Sequence, residues 1–101
     1  MNSESVLKIF KEITAIPRES GHEEKMTAWL ELFAAQRNLK CKTDGVGNVL
    51  IIKEASAGKE NVPTLVLQAH QDMVCEKNPG FDFDFHTQPI PFVIEDGWMI
   101  A

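Results

Sequence analysis

Basic runs, a disulfide framework, long apolar stretches and a secretory leader are all missing from this sequence, and each absence narrows the possibilities. Ten Lys and Arg residues lie scattered among fifteen Asp and Glu, for a net charge of −5. Phosphate binding needs clustered cations, so nucleic acid is excluded as a partner. No apolar run approaches the ~20 residues that span a bilayer, which excludes a membrane-embedded chain. The start, Met1-Asn2-Ser3-Glu4-Ser5, has neither the basic beginning nor the apolar centre of a signal peptide. Two cysteines, Cys41 and Cys75, cannot build a disulfide framework. With no signal, they point to reduced thiols in the cytoplasm. No internal repeat or long disordered stretch is visible.

What is present is one domain at most, or part of one, since the chain has 101 residues. Val6, Ile9, Phe10, Ile13 and Ile16 recur at helical spacing, predicting an amphipathic helix from about Ser3 to Ile16 that Pro17 ends. Ser20 with Glu23 three positions later reads as a capping box opening a second helix. Met26, Trp29, Leu30, Phe33 and Ala34 would form its buried stripe, and Asn38 its left-handed stop. Leu39–Thr43 and Val49–Ile52 follow as strands around Asp44-Gly45 and Gly47-Asn48. Thr64–Ala69 is a nearly continuous apolar run of the kind buried on both faces of a sheet. Phe92–Glu95 and Trp98–Ala101 flank Asp96-Gly97, a hairpin signal.

The expected fold class is α/β: two N-terminal helices on a mixed sheet, with Val49–Ile52 and Leu65–Leu67 as central strands. Phe10, Ile13, Trp29, Leu30, Phe33, Ile51, Val66 and Leu67 should be deeply buried. The apolar arm Trp98–Ala101 simply stops, which is expected of a cut through a larger domain. Its open edge is a template for self-association through an edge strand.

Among chemistry-bearing residues, His70-Gln71-Asp72 stands first, at the carboxyl end of the apolar run, where α/β sheets gather their ligand sites. On an extended segment, residues i and i+2 share a side. One nitrogen of His70 could then bind a metal while Asp72 accepts from the other, fixing the tautomer. The competing reading is an ordinary strand-end His and Asp, and spacing alone leaves both open. Asp82, Asp84 and His86 alternate with Phe81, Phe83 and Phe85. Side chains about 6–7 Å apart along one strand face converge poorly on an ion with bonds of about 2 Å. A half-buried strand, Phe inward and Asp and His outward, is expected there instead. Cys75 reads as a small buried hydrophobe rather than an activated nucleophile, and His22 as a solvated or capping residue of the second helix.

The run Ala69-His70-Gln71-Asp72-Met73-Val74-Cys75-Glu76-Lys77-Asn78 resembles the first metal motif of the aminoacyl-histidine dipeptidases, also called Xaa-His or cytosolic non-specific dipeptidases. Ile16-Pro17-Arg18, Gly21-His22-Glu23-Glu24-Lys25 and Gly45-Val46-Gly47-Asn48-Val49-Leu50 resemble the same family in order and spacing. So do Phe83-Asp84-Phe85, Pro89-Ile90 and Asp96-Gly97-Trp98; Gln88 departs from it, standing where the family usually has an acidic residue.

The resemblance implies a zinc-binding catalytic domain, an inserted lid domain used in homodimerisation, and two zinc ions bridged by an Asp and a water. Carried over, His70 would bind one zinc, and Asp72, within the catalytic site, would orient its imidazole. The bridging Asp, general-base Glu and remaining ligands would lie beyond Ala101. Residues 1–101 would then be the N-terminal part of the catalytic domain, inactive alone, from a cytoplasmic enzyme hydrolysing unblocked dipeptides, Xaa-His among them. A non-catalytic binding module on the same scaffold, or a related zinc deacetylase sharing the His-x-Asp motif, stays open as an alternative.

Overall fold

Asn2 opens the first helix: its side-chain oxygen accepts from the Ser5 amide at 2.9 Å and the Ser5 hydroxyl at 2.8 Å. These bonds satisfy a donor that the helix start leaves free. In the computed structural model, which describes residues 2–101, this helix, α1, spans Ser3–Thr14. Glu4 in its first turn and Lys11 in its last suit the helix dipole. The helix stops two residues short of Ile16. The Ile16 amide bonds back only to Ile13, at 3.2 Å, and Pro17 pushes Ile16 out of the α region.

Helix α2 spans Glu24–Gln36 and begins without the expected capping box. The Glu23 carboxylate accepts from the Gly21 amide at 2.7 Å, whereas the Ser20 hydroxyl donates to Asp72. The helix ends as its sequence indicates. Asn38 has φ 54°, its amide bonds to the Ala35 carbonyl, and the Leu39 amide reaches that of Ala34, a Schellman closure.

Strands β1 (Lys40–Thr43) and β2 (Val49–Ile52) pair antiparallel, with Cys41 opposite Ile51, and α2 packs on both. The loop between them is organised by one carboxylate. Asp44 accepts from the amides of Val46 and Asn48 at 3.0 and 2.9 Å and from the Asn48 side-chain amide at 2.8 Å. These bonds, led by that of the Asn48 side chain, hold the Asp44 carboxyl below its ordinary value. A depressed folded-state value means that the contribution to stability is complete above the ordinary carboxylate range. It is lost as pH falls through the depressed value. Asp44→Ala is therefore expected to lower the thermal midpoint at neutral pH by a few degrees and to flatten the acid limb of midpoint against pH. An unchanged acid limb in the variant would remove Asp44 from this role.

Strands β3 (Val93–Glu95) and β4 (Trp98–Ile100) form a second antiparallel pair, each shorter at its outer end than its apolar run. Asp96 and Gly97 have φ 50° and 81°, the double left-handed turn that matches strand twist. The α/β class holds, with two N-terminal helices followed by strands. The strands are two separate ribbons, and one parallel bridge joins Glu19 to Met73.

Leu65–Leu67 departs from expectation. It is neither helix nor paired strand, and its residues are 80%, 76% and 86% exposed. A strand buried on both faces needs partners along its edges and layers above and below, and the described residues supply neither. Val66 and Leu67 are thus not core, and Phe10 is also exposed. Ile13, Trp29, Leu30, Phe33 and Ile51 are half-buried rather than deeply buried. The buried positions among the described residues are Thr14, Met26 and Ala34, around the α1–α2 connection and the α2 face on the first hairpin. Trp29 and Phe33 still pack together, 5.1 Å between ring centroids, and the Arg37 guanidinium stacks on Phe33 at 3.5 Å.

Candidate metal-ligand site

The segment carrying His70 and Asp72 is clamped from both sides, and alternation of side chains along it explains how. Gln71 points to one side, donating to the Gly47 carbonyl at 2.6 Å and accepting from the Thr27 hydroxyl at 3.3 Å. It ties the motif to the first hairpin loop and to α2. Just beyond, the Met73 amide donates to the Arg18 carbonyl at 2.9 Å, making the parallel bridge. Arg18 holds this junction together, donating to the Ile13 carbonyl at 2.8 Å and lying 3.3 Å from the Met73 sulfur.

His70 and Asp72 face the other way and meet. His70 Nδ1 lies 2.9 Å from both Asp72 Oδ1 and the Asp72 carbonyl oxygen. Both partners only accept, so Nδ1 carries the proton, and in the neutral ring Nε2 keeps its lone pair. The imidazole is 80% exposed, which leaves Nε2 open. The second carboxylate oxygen, Asp72 Oδ2, accepts from Ser20 Oγ at 2.5 Å. Ser20 first and His70 second hold the Asp72 carboxyl below its ordinary value. Among the described residues no group of three or more His, Cys, Asp or Glu is placed to hold an ion. The chemistry of this set is therefore that of a single oriented imidazole donor.

The other candidates sort differently. Asp82, Asp84 and His86 do not line a strand face, because Phe81–Thr87 is not a strand. Asp84 instead binds its own surroundings, accepting from the His86 amide at 2.9 Å and the Thr87 hydroxyl at 2.7 Å. Such local bonds compete with a sheet ladder. Phe83 and Phe85 are half-buried and meet edge to face at 4.9 Å, while Phe81 is exposed. Cys75 is also exposed rather than buried, with its sulfur 3.5 Å from a Glu19 oxygen. Local desolvation, then Glu19, push its thiol above the ordinary value, away from a nucleophile's state.

Two features lay outside the motif reading. One is Ser20 on Asp72. The other is a cavity of about 210 Å³ where Glu19 pairs with His86 and lies 3.9 Å from His22 Nε2. Neither has a local signature, since Asp72 and His86 come from parts of the chain distant from Ser20 and Glu19.

No protein-family model matches the chain. Its sequence is 42% identical over 93 residues, 92% of the chain, to the cytosol non-specific dipeptidase of Escherichia coli (strain K12). Its fold superposes on the crystal structure of aminoacylhistidine dipeptidase from Vibrio alginolyticus with a TM-score of 0.89 and 36% identity over 98% of the chain. The chain spans 19% of the first relative's length and 20% of the second's. Both relatives are dipeptidases by name. The chain belongs to the aminoacyl-histidine, or cytosol non-specific, dipeptidase family.

Proposed function

We propose that residues 1–101 are the N-terminal part of the catalytic domain of a zinc-dependent dipeptidase, in which His70 binds one of two zinc ions and Asp72 orients it. The observation that carries this reading is the doubly held Nδ1 of His70 with its Nε2 left open. A catalytic zinc takes about three protein ligands per ion. The donor set here fits one of them, and the others would come from residues outside this chain. Zinc bound at such a centre would lower the pKa of a bound water and polarise the scissile carbonyl.

The chain's own residues prepare that role. Asp72 keeps the Nδ1 proton in place and the Nε2 lone pair outward. Gln71 fixes the backbone between them against Gly47. The relatives' names support dipeptides, aminoacyl-histidine among them, as substrates, and a cytosolic setting. No helix of the described residues is long and apolar enough to cross a membrane. The intact enzyme is a homodimer in this reading, and the isolated chain associates through its open strand edges.

The test uses the full-length protein. Stripping it with a chelator should abolish hydrolysis of a panel of Xaa-His and other unblocked dipeptides, and zinc should restore it. The isolated 101-residue chain, loaded with zinc, should give no turnover. Full activity in metal-stripped enzyme would overturn the zinc reading, and zinc-dependent turnover by the isolated chain would overturn the single-ligand reading.

A further inference from the structure

We infer that Ser20 is a positioning residue of this site, acting on His70 through Asp72; the inference rests on the metal reading above. The parallel bridge between Glu19 and Met73 sets the two segments side by side, within reach of a side-chain bond from Ser20 to Asp72 across fifty-two residues of sequence. The Ser20 hydroxyl has a single proton, and it goes to Asp72 Oδ2 at 2.5 Å. Its oxygen does not accept from the start of α2, which has no side-chain cap at Glu23.

The effect on the site follows from carboxylate geometry. The terminal torsion of an Asp side chain is broad and nearly two-fold, so one hydrogen bond leaves the group free to swing. Here each oxygen has its own donor, His70 Nδ1 on Oδ1 and Ser20 Oγ on Oδ2. Two donors on opposite sides fix the carboxylate plane, and the plane fixes the direction of the imidazole. Site geometry must hold within about 10–20° to be productive. An exposed imidazole has little packing to supply that restraint. Ser20 supplies it instead.

The experiment uses the full-length protein and measures zinc affinity by competition with a chromophoric chelator, alongside kcat and KM. An outer partner of a metal-binding His is worth about 10–100-fold in affinity or activity. Ser20 acts one step further out, so Ser20→Ala should weaken zinc binding about 3–10-fold. It should lower kcat more than it changes KM. Ser20→Thr, which keeps the hydroxyl, should restore both, and Ser20→Val, which matches Thr in shape but lacks the hydroxyl, should not. In Asp72→Ala/Ser20→Ala the second change should add nothing to the first, because Ser20 has no route to the metal except Asp72. In the metal-free protein, ¹⁵N NMR of His70 should show the Nδ1–H tautomer eroded in Ser20→Ala and recovered in Ser20→Thr.

Additive losses in the double variant, or a Thr variant as poor as Val, would show that Ser20 merely supports the fold. Wild-type affinity in Ser20→Ala, with affinity lost in His70→Ala, would overturn the inference alone. Unchanged affinity in His70→Ala would overturn the metal reading and this inference with it.

Discussion

On the proposed zinc reading, replacing His70 with Ala in the full-length protein is expected to release the metal and to reduce kcat by on the order of a thousandfold or more. The fold should survive, because the imidazole is largely exposed and its loss opens no core cavity. Metal content measured on purified protein, set beside the thermal midpoint, separates the two effects. Asp72→Ala should be milder, about 10–100-fold in activity or metal affinity, since it removes the proposed orienting group and leaves the proposed ligand. A His70 variant with full metal content and wild-type turnover would mean that the imidazole is an ordinary exposed side chain.

The isolated chain is expected to self-associate, or to be only marginally folded as a monomer. A compact protein of this mass exposes about 5,700 Å², whereas this chain exposes 8423 Å². Its radius of gyration is 16.6 Å, against about 12.7 Å for a compact domain of its length. The excess surface, about 2,700 Å², is larger than a standard protein–protein interface. Much of it is apolar and extended: Leu65, Val66 and Leu67 on one segment, Val93, Ile94 and Trp98 on the second hairpin. Unpaired strand edges carrying such side chains pair readily with another chain. Light scattering and denaturant melts across a concentration series should show a growing particle and a transition that moves with concentration. A compact monomer with a cooperative, concentration-independent transition would show a self-sufficient domain. The family assignment would survive that result.

Local chemistry explains what is legible in the sequence. Helix α2 ends at Asn38 because that residue tolerates a left-handed backbone, a property of its own side chain. Asp96-Gly97 turns the second hairpin for the same kind of reason. His70 finds Asp72 because alternation puts residues two apart on one side of an extended segment. The two helices and the first hairpin also follow from periodicity and turn residues. The capping box failed because the chain turns at Gly21, with φ 86°, and α2 starts only after Glu23, so Ser20 does not stand at the helix start. Phe81–His86 failed as a strand because Asp84 satisfied its neighbours' donors locally, which period-two patterning does not register.

The sequence by itself therefore determined the elements whose bonds close within a few residues, together with the pairing of His70 and Asp72. Tertiary structure alone decided the rest. It brought Ser20 to Asp72, Gln71 to Gly47, His86 to Glu19 and the Ile90 amide to the Thr14 carbonyl. It also left Leu65–Leu67 without the neighbours its composition calls for. The physical reason is the same in each case. Short-range bonds depend on residue type and spacing, whereas pairings across tens of residues depend on where the backbone has been carried, and the bridge at Glu19 and Met73 carries it here.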